Sequence, residues 1–129
     1  MKYMVIKDSF YKHDWGLLEY NEETKKFRIY IRRDKHYKVY PIFMNIMIKK
    51  YQSYVIDGEF AMMWVHERLV SPFRQNIDNI LRNVGCYEYD EWKLLQAYNG
   101  KCPQDDMYLE TLSSNKVQDY AIKFGIALK

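Results

Sequence analysis

Apolar and polar residues alternate with period two in the first half of the chain, and helical stripes mark the second half. Residues 3–7 form a short apolar run ended by Asp8 and Ser9, and residues 15–20 form another. After a polar turn at 21–24, residues 25–33 alternate cleanly. Phe27, Ile29 and Ile31 fall on one face, and Arg28, Tyr30 and Arg32 on the other. Such alternation predicts a strand with one buried and one solvated face, and the two runs together predict a hairpin. Beyond a charged turn at 34–38, residues 39–49 are the most apolar stretch, rich in β-branched side chains on both faces. They predict a well-covered strand, with Pro41 near its start, where a strand tolerates proline.

Helix punctuation dominates from residue 57 onward. Asp57 is placed to cap a helix running to about residue 69, with Glu59 in its first turn. Ser71 caps the next, with Pro72 at its first position. Phe73, Ile77, Ile80, Leu81 and Val84 then make an amphipathic stripe closed by Gly85. Asp90 caps a third helix carrying Trp92, Leu94, Leu95 and Tyr98, ended by Asn99 and Gly100. Residues 107–110 read as a short returning strand. Ser114 caps a final helix with Val117, Ala121, Ile122 and Phe124 on one side. Strands ahead of helices predict an α+β fold. Its mostly antiparallel sheet comes from the N-terminal half (the hairpin plus the apolar strand 39–49) and packs on three to four helices from the C-terminal half. Without a Pro/Gly/Ser-rich linker or a repeat, residues 1–129 read as a single domain.

Composition adds constraints. The apolar share of 48% is that of a globular chain, and this length buries roughly 65–70% of the unfolded surface. Thirteen tyrosines raise the aromatic share to 17%, and tyrosine suits interfaces because it joins large contact area to a polar tip. The N-terminal residues lack the apolar core of a signal peptide, and no stretch approaches the length of a membrane span. A cytoplasmic protein of a bacterial cell, with phage encoding left open, is the expectation. Cys86 and Cys102 are expected as free thiols of a reducing compartment. The net charge is +3, unevenly spread. Residues 1–51 hold twelve Lys/Arg against six Asp/Glu, and residues 52–129 hold eight against eleven. A basic face and an acidic face are expected.

Catalytic patterns are not found. His13, His36 and His66 stand outside any ligand spacing. Cys86 and His66 fall on different helices, and the five glycines form no phosphate loop. Asp105-Asp106 reads as a solvated turn and Glu67-Arg68 as an exposed charged face. No catalytic residue, metal site or cofactor is expected, hence no enzyme. The hairpin stands out instead, with seven Lys/Arg in residues 25–38 interleaved with tyrosines. Lys26, Arg28, Tyr30, Arg32, Arg33, Lys35, Tyr37 and Lys38 are the candidate partner-binding residues. Cations between aromatics suit phosphates and stacked bases, and equally an acidic protein surface. Glu88, Asp90, Glu91, Asp105 and Asp106 are the candidates for an opposing acidic face.

The order of these segments resembles a known family. "YPIFMNIMI" is followed by "EFAMMWVHERLVSP", "FRQNIDNILRNVG" and "YDEWKLLQAYNGKCPQDDMYL". This is similar to the amino-terminal subdomain of HipA-type toxin kinases, which also exists as the free small protein HipS of three-part toxin–antitoxin systems. Ile42 to Ile48, Phe60 to Pro72, Arg74, Tyr89-Asp90, Leu94-Leu95, Gly100 and Asp106 fill the family's packing roles, over roughly residues 3–111. The kinase body is absent. Residues 101–106 replace the family's glycine-rich ending, and the helix from Ser114 is additional. The resemblance implies a small regulator that docks on a partner protein, a kinase in that family. Two other readings stay open: a mobile-element inhibitor of a host defence nuclease, of the anti-CRISPR kind, and a nucleic-acid-binding module using the basic hairpin.

Overall fold

The computed structural model describes residues 1–33 and 40–129. Five strands form one sheet: β1 (Lys2–Asp8), β2 (His13–Asn21), β3 (Lys26–Ile31), β4 (Val55–Ile56) and β5 (Met107–Leu112). Their order is β4-β3-β2-β1-β5, and every neighbouring pair is antiparallel. The expected α+β class with an antiparallel sheet is therefore the observed one. Between β2 and β3 the Asn21 side chain accepts the N–H of Glu23 (2.9 Å) and of Thr24 (3.2 Å). This local bonding is what makes asparagine a turn former.

A bulge shapes β2. Ile6 faces Gly16 while Lys7 faces Asp14, so Trp15 is the extra residue. The bulge re-aims Trp15, which packs with Leu18 and Tyr20 and not on the face of Leu17. Its indole N–H donates to Asp8 Oδ2 (2.9 Å), and the other Asp8 oxygen accepts the N–H groups of Phe10 and Tyr11.

Five α-helices are described: α1 (Ile42–Tyr51), α2 (Gly58–His66), α3 (Ile77–Asn83), α4 (Glu91–Tyr98) and α5 (Val117–Phe124). Helix α1 corrects the expected apolar strand 39–49, whose first residue lies outside the described ones. The chain turns helical directly after Pro41, and Met44 and Met47 face the core at helical spacing. An unbroken apolar run hides both periods, and its β-branched residues favoured the strand. Lys49 and Lys50 in the last turn suit the helix dipole, and Gln52 in the left-handed region ends the helix.

The other helices keep their places with altered ends. Asp57 precedes α2 as expected, but its side chain makes no cap bond, and the helix stops at His66. The helix expected from Ser71 begins only at Ile77. Asn76 stands in the left-handed region, and Phe73 is 94% exposed with nothing to pack on. Asp90 caps α4 by accepting the Lys93 N–H (3.0 Å). Ser114 opens a short 3-10 turn ahead of α5.

Both sheet faces are covered. On one, Met4, Ile6, Leu18, Phe27, Ile29 and Ile31 meet Met44 and Met47 of α1, Trp64 of α2 and Trp92 of α4. On the other, Val5, Leu17 and Tyr30 meet Phe124 and Tyr120 of α5 and the following Ile126 and Leu128. A smaller cluster of Leu81, Cys86 and Leu94 ties α3 to α4. Both cysteines are free thiols. Among the described residues no helix is long and apolar enough to cross a membrane.

Candidate interaction surface

The basic hairpin does not present the expected solvated face. Arg28, Tyr30 and Arg32 do share a side of β3, but α5 and the chain after it cover that side. Tyr30 is 1% exposed. Its hydroxyl donates to Glu19 Oε2 (3.2 Å) and accepts the Lys129 N–H (3.2 Å). Arg28 lies half-buried beside Glu19 (3.7 Å) and Asp57 (3.7 Å). Its guanidinium is held further toward the charged form by its bond to the Tyr30 hydroxyl and by those carboxylates. Arg32 stacks over the Phe124 ring (4.9 Å) and the exposed Arg33 over Tyr54 (4.4 Å). Lys26 is exposed at the start of β3. Lys35, Tyr37 and Lys38 lie outside the described residues.

Glu19, near the end of β2 and 3% exposed, organises this interior. Tyr3 also donates to it (2.7 Å). Burial and the Glu19 carboxylate push the Tyr3 hydroxyl well above the usual phenol range. A buried carboxylate accepting from two hydroxyls, with a cation beside it, is a satisfied structural network.

The acidic candidates do not converge either. Asp90 is spent on its cap, Glu91 bonds His66 (2.7 Å) and Glu88 is exposed. Asp105 holds Arg68 and accepts the Met107 N–H (2.9 Å), and the backbone carbonyl of Asp106 accepts from Ser9 (3.0 Å). The two groups sit at opposite ends of α4, about 12 Å apart along the helix. Arg68, read as exposed, is 6% exposed. It donates to the carbonyls of Gly100 (2.8 Å) and Met107 (3.2 Å), and its guanidinium lies over Trp64 (4.1 Å). No local sequence signal marks this clamp, because its partners are more than thirty residues away.

The chain also has open clefts. One, about 560 Å³, is bounded by Ser9, Cys102, Asp105, Asp106, Tyr108 and Glu110. Among the described residues no group of three or more His, Cys, Asp and Glu is arranged to hold a metal ion. The cleft beside α2, about 490 Å³, is lined by Lys26, Gly58, Glu59, Met62, Met63 and His66.

That last cleft adjoins exposed apolar side chains of α2, and α1 carries others. Ile42 (81% exposed) and Ile46 (50%) stand one turn apart on the outer side of α1. Phe60 (41%) and Met63 (57%) do the same on α2. Tyr51 at the end of α1, on the helix side of Met44 and Met47 and not on that of Ile42 and Ile46, meets the Phe60 ring (centroids 5.6 Å). Both pack inward on the same sheet face. Phe73 and Tyr87 are also exposed, but each stands in a turn outside the helices. From sequence these positions enter only within Ile42 to Ile48 and Phe60 to Pro72, with packing roles and none in binding. The spacing of Ile42 and Ile46 becomes a signal only once the segment is read as a helix.

In comparisons with known proteins, no family model, no curated protein and no solved structure matches this chain.

Proposed function

We propose that the chain is a non-enzymatic regulator that acts by docking on another protein through the outer face of α1 and α2. One observation carries this: four large apolar side chains, Ile42, Ile46, Phe60 and Met63, are exposed on two helices of one layer. A single exposed apolar side chain is ordinary, whereas two pairs at one-turn spacing on two helices of one layer are a surplus that a partner can cover. Taking such a side chain from full exposure to full burial is worth roughly 1.5–3 kcal/mol, and these four, 41–81% exposed, gain part of that each. Together they offset a share of the roughly 4–15 kcal/mol lost in rigid-body freedom on association. The docking role agrees with the resemblance to HipS. Protein is preferred to nucleic acid as the target because Arg28, Arg32 and Arg33 are engaged with Glu19, Phe124 and Tyr54.

Co-purification from the native cell with wild-type chain and with Ile46→Asp/Phe60→Asp tests this. A partner held by the wild type and lost by the variant is expected. A kinase among the captured proteins favours the HipS-like role, and a nuclease favours the inhibitor role. Equal capture by both forms refutes docking through this face.

A further inference from the structure

We infer that the α1–α2 surface also binds a second copy of this chain, in a two-fold contact that lays α1 of each protomer on α2 of the other. The inference rests on the docking proposal, since it names an occupant for the same surface. The two exposed stripes carry opposite charge. On α1, Ile42 and Ile46 are followed by Lys49 and Lys50, and the helix contains no acidic residue. On α2, Phe60 and Met63 lie between Glu59 and Glu67, both exposed, and the helix contains no Lys or Arg. Among the described residues Lys49, Lys50 and Glu59 enter no ion pair.

One molecule therefore displays an apolar stripe with a basic end on α1 and one with acidic residues at its ends on α2, where the exposed Lys26 lines the adjoining cleft. A two-fold interface requires this kind of self-complementarity, because each patch must match a patch on an identical chain. The lengths also agree. Helix α1 has ten residues and α2 nine, about 15 and 14 Å. With the two helices antiparallel, the rise per residue sets Lys49 and Lys50 of one chain against Glu59 of the other. Ile46 then lies between Phe60 and Met63. The contact occurs twice, so each charge contribution is doubled. Paired copies cover the docking surface, so a target protein must compete with the second copy for it.

Sedimentation or light-scattering mass over a range of concentrations is the assay, on the full chain. The wild type is expected to reach the mass of two chains, and Ile46→Asp to remain at one. Lys49→Glu/Lys50→Glu and Glu59→Lys should each weaken self-association at least about tenfold, since like charges then face each other in both contacts. In an equimolar mixture of these two variants both contacts regain opposite charges, so the two-chain mass returns. All these positions are exposed, and matching circular dichroism confirms that each variant folds. A wild type that stays at one chain throughout overturns self-association, as does a mixture that stays monomeric or a dimer indifferent to the charge reversals. If the wild type is monomeric yet loses its captured partner through Ile46→Asp/Phe60→Asp, docking stands and only the second-copy occupant falls.

Discussion

Replacing Arg68 by alanine probes how the second half of the chain is fastened to the sheet. The side chain stacks on Trp64 and donates to the carbonyls of Gly100 and Met107 and to the Asp105 carboxylate. Alanine leaves all three acceptors without that donor. A buried polar group stripped of its partner costs about 1–3 kcal/mol, and deleting one member of a buried ion pair costs about 3–5 kcal/mol. These figures overlap and do not add. The Asp105 side chain keeps 30% exposure and still accepts the Met107 N–H, so water relieves part of the loss. The expected cost is about 3 kcal/mol, which for a domain of this size lowers Tm by roughly 10 °C. Urea denaturation followed by tryptophan fluorescence measures it directly. An arginine on a solvated helix face would give a change within about 0.5 kcal/mol. A loss below about 1 kcal/mol at unchanged m-value would therefore refute the clamp. Arg68→Met with Asp105→Asn should recover part of the loss, because no unpaired charge remains.

Other perturbations reach different parts of the fold. At Gly16 a Cβ would stand 2.0 Å from the Tyr30 carbonyl oxygen, so Gly16→Ala should cost about 2–3 kcal/mol or more, read from the urea midpoint. The hydroxyls of Tyr3, Tyr20 and Tyr89 are all raised, first by burial. The native state thus keeps them neutral while the unfolded chain ionises, so stability present below pH about 10 is lost as pH rises further. In urea midpoints measured against pH, Tyr3→Phe should flatten that alkaline decline, and an unchanged slope would count against its buried bond to Glu19. In thermal melts Ile46→Asp should cost less than about 1 kcal/mol and Phe60→Asp about 1–2 kcal/mol, since Ile46 is half exposed whereas the Phe60 ring also packs on Tyr51. A larger loss would place them in the core.

Much of the fold was legible because the hairpin, α4 and β5 carry independent local signals that agree. Phe27, Ile29 and Ile31 alternate, Asn21 makes the turn, and Asp90 and Gly100 bracket α4. What failed was the step from alternation to solvent. Arg28, Tyr30 and Arg32 have polar tips on long apolar bodies, so the same pattern serves a face covered by α5. Two clues pointed to that cover: Glu19 inside an apolar run, and the stripe of Val117, Ala121 and Phe124, which needs something to pack against. The expected solvated face of Arg28, Tyr30 and Arg32 was covered for this reason. Among the described residues of the candidate basic site, Arg28, Tyr30, Arg32 and Arg33 are engaged within the fold.

The α1–α2 surface was hidden by a different ambiguity. A segment apolar on every side must be buried all round or leave one side for something outside the fold. As a strand, residues 39–49 would have been buried on both faces, with nothing left over. As a helix, the same residues send Met44 and Met47 inward and leave Ile42 and Ile46 outside. The change of period alone thus turns surplus core into surface. Its chemistry fits an interface better than the hairpin does, because Lys49, Lys50 and Glu59 are not consumed by internal ion pairs among the described residues. Among the described cations of the first half, Arg28 and Arg32 help hold the sheet's second face together, whereas Lys49 and Lys50 lie exposed on a helix that the fold covers on one side only.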